Sequence, residues 1–227
     1  MSHSNETHYP ISVILTVRDM KTSLAFYRDK LGFQLEGCWP DEQNPMWANL
    51  MLDGQSVMMG PNMQRDEVKK WCGNDPVELE QKLRVIDDFD KHKHGVGIAT
   101  YVMVADIDAW HAQVAKKGVK FAGAPKTQFY GLREVSLEDP DGYQFMFYSN
   151  VKLATCQSCS MPMKDAKPGV MYCEYCVDEK GKLKPYETIF EGCVSGYFIP
   201  MQKMSRPDAE KAARELLSKQ PAWAGRK

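Results

Sequence analysis

No run of about 18 apolar residues occurs anywhere in this 227-residue chain, so no segment of it reads as a bilayer-spanning helix. The opening segment, MSHSNETHYP, holds no apolar stretch of the kind a secretion signal needs, and export by such a signal is not expected. A surplus of one charge is missing as well: 29 Lys and Arg stand against 30 Asp and Glu, for a net charge of −1. A general nucleic-acid binder needs excess cation to neutralise phosphates, so nucleic acid is not an expected partner. The balance does shift along the chain, from −5 over the first 150 residues to +4 beyond them. An evenly paired disulfide framework is also lacking. The cysteines number 7, and four of them fall in two close pairs. That pattern suits metal binding in a reducing cytosol better than secreted cross-links, and the expected location is cytoplasmic.

What is present suits a protein with a real core: 43% of residues are apolar and 26% charged, over a length comfortable for two domains. The first 150 residues contain a repeat. ILTVRDMKTSLAFYRDKLGF and YVMVADIDAWHAQVAKKGVKF run in parallel, Val17 and Asp19 matching Val104 and Asp106, and Gly32 matching Gly118. Each copy begins as an alternating strand and meets an Asp suited to cap a helix. Each then continues with an amphipathic face, Leu24, Phe26, Tyr27 and Leu31 in one and Trp110, Val114 and Ala115 in the other, and closes near a Gly. Extended stretches follow, broken by LDGQ and DPDGY, which read as hairpin turns. The unit is therefore β-α-β-β-β, used twice, in an α+β fold.

Residues 61 to 96 join the copies. NDPVELEQKLRVIDDF predicts a short helix opening at Asp75, with Pro76 in its first position, and DKHKHG after it reads as an exposed, charged loop in which His92 and His94 are solvated. Beyond residue 151, PYETIFEGCVSGYFI reads as helical, and SRPDAEKAARELLSK predicts a helix whose Ser205 and Asp208 have the spacing of a capping box.

The stretch CQSCSMPMKDAKPGVMYCEYC places Cys156, Cys159, Cys173 and Cys176 in two Cys-x-x-Cys pairs. Zinc takes four tetrahedral thiolate or imidazole ligands, and a two-residue gap lets one tight turn present both sulfurs to a single ion. Four protein ligands leave no open position, so such a zinc, one per chain, would fold a small domain and could not activate water. A redox site would be a single pair at a helix start, and two matched pairs argue against it. Cys38, Cys72 and Cys193 are isolated and read as idle. With CQSCSMPM, YCEYCVDEKGK and LLSKQPAWAGRK in view, residues 153 to 227 resemble a family of zinc-ribbon domains with little assigned function.

VRDMKTSLAFYRDKLGF and YGLREVSLEDPDGYQFMFY resemble the vicinal oxygen chelate superfamily, which includes glyoxalases, extradiol dioxygenases and bleomycin-resistance proteins. The resemblance covers about residues 10 to 149. It implies two half-barrel modules, about 10–60 and 97–149, enclosing a cleft, within a domain 10–150. A polar tail, 1–9, would precede that domain, and a zinc ribbon with C-terminal helices, 151–227, would follow it. The resemblance also implies a homodimer. Metal-dependent members hold a divalent ion with His and Glu on inner strand faces. Carried over by position, those ligands fall on Ser12, Ala99, Met58 and Met146, which offer neither imidazole nor carboxylate. Alternation instead lines the cleft with Ser12, Ile14 and Thr16, with Ala99, Tyr101 and Met103, and with Gln144, Met146 and Tyr148. Trp47, Met58, Tyr130 and Glu134 are further candidates. Trp47, Met58, Tyr101, Tyr130, Glu134 and Met146 are thus the candidate ligand-binding residues, of which Glu134 could also bind a cation or act as a base.

The residues leave three functions open. The first is a protein that binds or sequesters a small, partly apolar molecule in a cleft without metal. The second is a lyase, isomerase or dioxygenase of the superfamily with non-standard ligands or none. The third is a ligand sensor whose zinc ribbon docks on a protein or nucleic acid.

Overall fold

Asp19 and Asp106 start the two helices of the repeat. The Asp19 carboxylate accepts a hydrogen bond from the Thr22 N–H at 2.6 Å, and Asp106 accepts from Asp108 and Ala109, both at 3.0 Å. These bonds satisfy amides that a helix start leaves without partners. Gly32 stops the first helix in the left-handed region, at φ 91°, where a side chain would be strained.

The computed structural model describes residues 13–226. The first module is β1 (Val13–Val17), α1 (Met20–Ala25, continuing as a π-helical turn over Phe26–Leu31), β2 (Gln34–Trp39), β3 (Trp47–Leu52) and β4 (Gln55–Pro61). The second is β5 (Thr100–Met103), α4 (Ile107–Lys116), β6 (Lys126–Thr127), β7 (Leu132–Glu138) and β8 (Gln144–Asn150). The sheets run β1-β4-β3-β2 and β5-β8-β7-β6, and the first strand of each lies parallel to the last, so both modules share one topology. The order is the expected β-α-β-β-β, used twice.

By contacts the chain divides into two compact units. One runs through Pro125 and includes Glu134–Ser149; the other is Lys126–Arg133 with the residues from Asn150 onward. In the first unit, strand alternation turns Leu15, Val17, Val57 and Met59 into the core with Leu24, Tyr27 and Leu31 of the first helix. The second module adds Val102, Ile107, Phe145 and Phe147 to the same cluster, so one core serves both copies. Trp110 stacks on Phe147 with ring centroids 4.1 Å apart, and its indole N–H donates to the Leu31 carbonyl at 3.1 Å.

The two hairpin turns also cross-link the modules. Gln55, after the Asp53–Gly54 turn, exchanges two hydrogen bonds with the Met103 backbone, at 2.7 and 2.8 Å. At the equivalent place in the other copy, the Tyr143 hydroxyl donates to the Thr16 carbonyl at 2.9 Å.

The connection between modules is more ordered than its sequence suggests. It holds α2 (Arg65–Cys72) and α3 (Pro76–Phe89), the latter 14 residues long and capped by Asp75, with Pro76 in its first turn. An ion pair between Arg65 and Asp87 ties the two helices. His92 is exposed, as expected, but His94 is not a solvated loop residue. Its ring is half-buried between Phe89 and Tyr143, centroids 4.2 and 5.3 Å away, because its nitrogens reach the carbonyls of Asp141 and Phe89.

The second unit holds α5 (Tyr186–Cys193), which continues through a π-helical turn over Val194–Phe198 into α6 (Ile199–Gln202), and then α7 (Arg206–Ser218). The Ser205 hydroxyl caps α7 by accepting from the Asp208 N–H at 3.4 Å. Ala209, Ala213 and Leu217, at helical spacing, form its buried face.

Candidate functional site

Register decides which side chains leave the core. In β1 and β4, Ile14 lies beside Met58 and Thr16 beside Gly60, on the face opposite Leu15 and Met59. Ile14 and Thr16, with Trp47 of β3 and Gly60 and Pro61 of β4, line the floor of a groove of about 550 Å³. Trp39 at the end of β2 and Met46 wall one side; Met63, Trp71 of α2 and Lys82 of α3 wall another. The inserted helices therefore build part of the site.

A bulge positions Trp47. The β2–β3 register slips between Leu35 and Gly37, and a Cβ on Gly37 would meet the Trp47 ring at 3.2 Å. Glycine at that strand position lets the indole lie against the backbone. Trp39 and Trp71 stand edge to face, centroids 5.8 Å apart, and expose 51% and 54% of their surface.

Of the residues that the sequence nominated, Trp47 lines this groove. Met58 shares the inner face of the first sheet but is not among the lining residues. Tyr101 and Met146 are register partners on the inner face of the second sheet, where Tyr101 also meets Tyr148 at 5.9 Å between ring centroids. Glu134 is buried in β7, at a position alternating with core residues Val135 and Leu137. Tyr130 lies in the β6–β7 turn against Phe129, centroids 5.1 Å apart. Ala99 directly precedes β5, and Ser12 lies outside the described residues. Trp39, Met46, Met63, Trp71 and Lys82 were not anticipated. A usable signal existed for Trp71, because Gln64 and Glu67 form a capping box that announces α2.

A second cluster lies in the other unit. Cys156, Cys159, Cys173 and Cys176 present sulfurs that all fall within 4.8 Å of one another, and among the described residues this is the one set of three or more His, Cys, Asp or Glu able to hold a metal ion. Two turns bring them together. The Ser160 N–H donates to the Cys156 carbonyl at 2.9 Å, with Ser160 at φ 63°, and the Cys176 N–H donates to the Cys173 carbonyl, also at 2.9 Å. The Cys159 and Cys173 sulfurs are 3.6 Å apart, close to the separation of two thiolates bound about 2.3 Å from one tetrahedral ion.

Hydrogen bonding among the sulfurs favours the thiolate at Cys156. Hydrogen bonds from Cys159 and Cys176 hold the Cys156 pKa far below that of a free thiol, and the Cys173 N–H adds a donor at 3.3 Å. The same bonds push the Cys159 and Cys176 thiols upward. The C-terminal segment closes over the first turn: the Trp223 indole N–H donates to the Ser158 carbonyl at 3.0 Å, and the ring meets Tyr186 edge-on at 5.2 Å.

Paired β-α-β-β-β modules with an open groove on an inner sheet face define an α+β protein of the glyoxalase-like class. The pattern of the Glyoxalase/Bleomycin resistance protein/Dioxygenase superfamily matches residues 10–147, and the chain belongs to that superfamily. Several solved structures are similar. A member of the same superfamily from Sphaerobacter thermophilus is 22% identical, covering 63% of this chain and 97% of its own, with a TM-score of 0.42. TioX from Micromonospora sp. ML1 is 18% identical, covering 65% and 100%, with a TM-score of 0.45. TnmS3, an antibiotic binding protein from Streptomyces sp. CB03234, is 20% identical, covering 65% and 98%, with a TM-score of 0.41. The curated proteins include no match to this chain. Among the described residues, no helix is long and apolar enough to cross a membrane.

Proposed function

We propose that this protein binds and sequesters a small, largely apolar molecule in the groove of its first module, and that it does so without a metal ion there. The observation that carries the reading is the lining itself: three tryptophans and two methionines around about 550 Å³, with Lys82 as the one charged group. Large flat rings and adaptable thioethers grip apolar ligands by shape, and sequestration asks for little more. The superfamily's ligand positions point the same way, since Met58, Ala99 and Met146 supply no anionic or imidazole donor. The enzyme reading has less behind it, because no lining residue is a carboxylate or imidazole that could act as a base.

The four cysteines hold one zinc in this reading, and the residues from 151 onward form a zinc ribbon around it. Their side chains fill a tetrahedral shell, so the ion is a structural staple that ties the two turns together. The protein acts as a cytoplasmic homodimer, a state the family implies. Apolar side chains left exposed on both inner sheet faces, among them Ile14 and Tyr101, support it.

Native mass spectrometry and ligand titration test the proposal together. One zinc per chain, two chains per particle, and quenching of tryptophan fluorescence by apolar aromatic compounds are the expected results. A second metal ion per chain, or no response to any compound in a panel of flat and bulky apolar molecules, would sink the sequestration reading.

A further inference from the structure

We propose that the molecule held in the groove is a flat aromatic carrying a negative charge, and that Lys82 selects for that charge. The inference rests on the binding reading above and names the ligand class of the same groove.

The indoles set the shape. Trp47 lies along the floor, while Trp39 and Trp71 meet at an interplanar angle of 79° and each leave about half of their surface in water. A planar ligand laid against these faces would remove that apolar surface from solvent and gain ring contacts as well. Met46 and Met63 adapt to its outline.

The charge follows from the lining. Lys82 is its one charged member. Its ammonium lies 3.7 Å from Glu78 Oε1, one helical turn earlier, and the two side chains are 39% and 43% exposed. A surface pair of that length and exposure is weak, so the ammonium can turn to a ligand at small cost. The indole walls lower the local dielectric, which strengthens an ion pair made inside the groove relative to one in water. A cationic ligand would find aromatic faces but would also meet Lys82, with no carboxylate in the lining to offset the repulsion. An uncharged ligand would leave the ammonium desolvated and unused.

Fluorescence titration of the full chain with 1-anilinonaphthalene-8-sulfonate and with its uncharged analogue N-phenyl-1-naphthylamine separates these cases. The sulfonate is expected to bind about tenfold tighter than the uncharged probe. Lys82→Gln should remove that difference by weakening the sulfonate, and Trp71→Ala should weaken both probes, with circular dichroism showing that each variant folds. Equal affinity of the two probes, or a difference that survives Lys82→Gln, overturns the charge assignment and leaves the groove as a binding site. Failure of both probes to bind, or binding that Trp71→Ala does not change, overturns this inference and the binding reading alike.

Discussion

Tyr27 carries a hydroxyl into the driest part of the first unit, and that group has one use. The ring is fully buried, edge-on to Phe33 and Phe145, and its hydroxyl donates to Asp139 Oδ2 at 2.8 Å. The other oxygen of Asp139 accepts from the Asp141 and Tyr143 amides, so the carboxylate that shapes the β7–β8 turn is bonded on both sides. Tyr27→Phe is therefore expected to cost about 1.5–3 kcal/mol, the range for a hydrogen bond to a charged group. Burial, reinforced by the Asp139 charge, also pushes the Tyr27 pKa well above 10.0. A folded pKa above the unfolded one means that this group's stabilisation is whole below pH 10 and is lost as pH rises beyond it, where the unfolded phenol ionises and the buried one does not. Urea denaturation at a series of alkaline pH values should show a drop in midpoint above about pH 10 that is shallower in Tyr27→Phe. Equal slopes in the two proteins would mean that Tyr27 does not report this burial.

At the scale of elements, the cysteine turns and the helices beside them form one cluster: Cys156 and Cys176 pack with Met163, Ile189 of α5 and Leu217 of α7. So small a core is expected to depend on the zinc proposed for these cysteines. Cys176→Ser is expected to lower the zinc content per chain and to expose α5–α7 to limited proteolysis; unchanged metal content and unchanged cleavage would remove the cysteines from that role. The spacing of these cysteines was legible in the sequence because two tight turns are local structure. So were the two modules, since Asp19 and Asp106, Gly32 and Gly118 mark the same helix ends twice. The groove was legible only in part. Alternation places Trp47 and Met58 on an inner face, but it cannot say which portion of that face becomes a wall. That depends on where α2 and α3 fold back. The segment QRDEVKKWC is mostly charged, and although Val68, Trp71 and Cys72 recur at helical spacing, that stripe does not say that Trp71 stands at its edge and faces a groove while Val68 and Cys72 are buried. Lys82 lies in a helix that was expected, on a face that only tertiary structure assigns.

At the scale of the molecule, the repeat has become a pair of modules locked turn to strand, and the two locks are unequal. Each hairpin Asp accepts a hydrogen bond from the amide that follows the other module's first strand: Asp141 from Arg18 at 3.1 Å, Asp53 from Ala105 at 3.3 Å. Only the first has been elaborated. The Asp141 side chain is 3% exposed and also receives the Arg18 guanidinium at 3.2 Å and the Ser23 hydroxyl at 3.3 Å, while Arg18 reaches on to Asp90 at the end of the insertion. Asp53 lies exposed in its turn, at φ 47°. Removing this buried carboxylate leaves the buried Ser23 hydroxyl without its partner, while the exposed Arg18 groups keep Asp90 or turn to water; water likewise replaces the exposed Asp53 carboxylate. Asp141→Ala should therefore destabilise the protein by about 1–3 kcal/mol and Asp53→Ala by less than about 1 kcal/mol, in chemical denaturation followed by tryptophan fluorescence. The Asp141 lock holds the strand that bears Ile14 and Thr16 and, through Arg18 and Asp90, the C-terminal end of α3, the helix whose middle bears Lys82. Its loss is accordingly expected to weaken probe binding in the groove, and the Asp53 variant is expected to leave binding intact. Equal effects of the two substitutions would show that the modules are held by their shared core alone, with the turns contributing only their own local order.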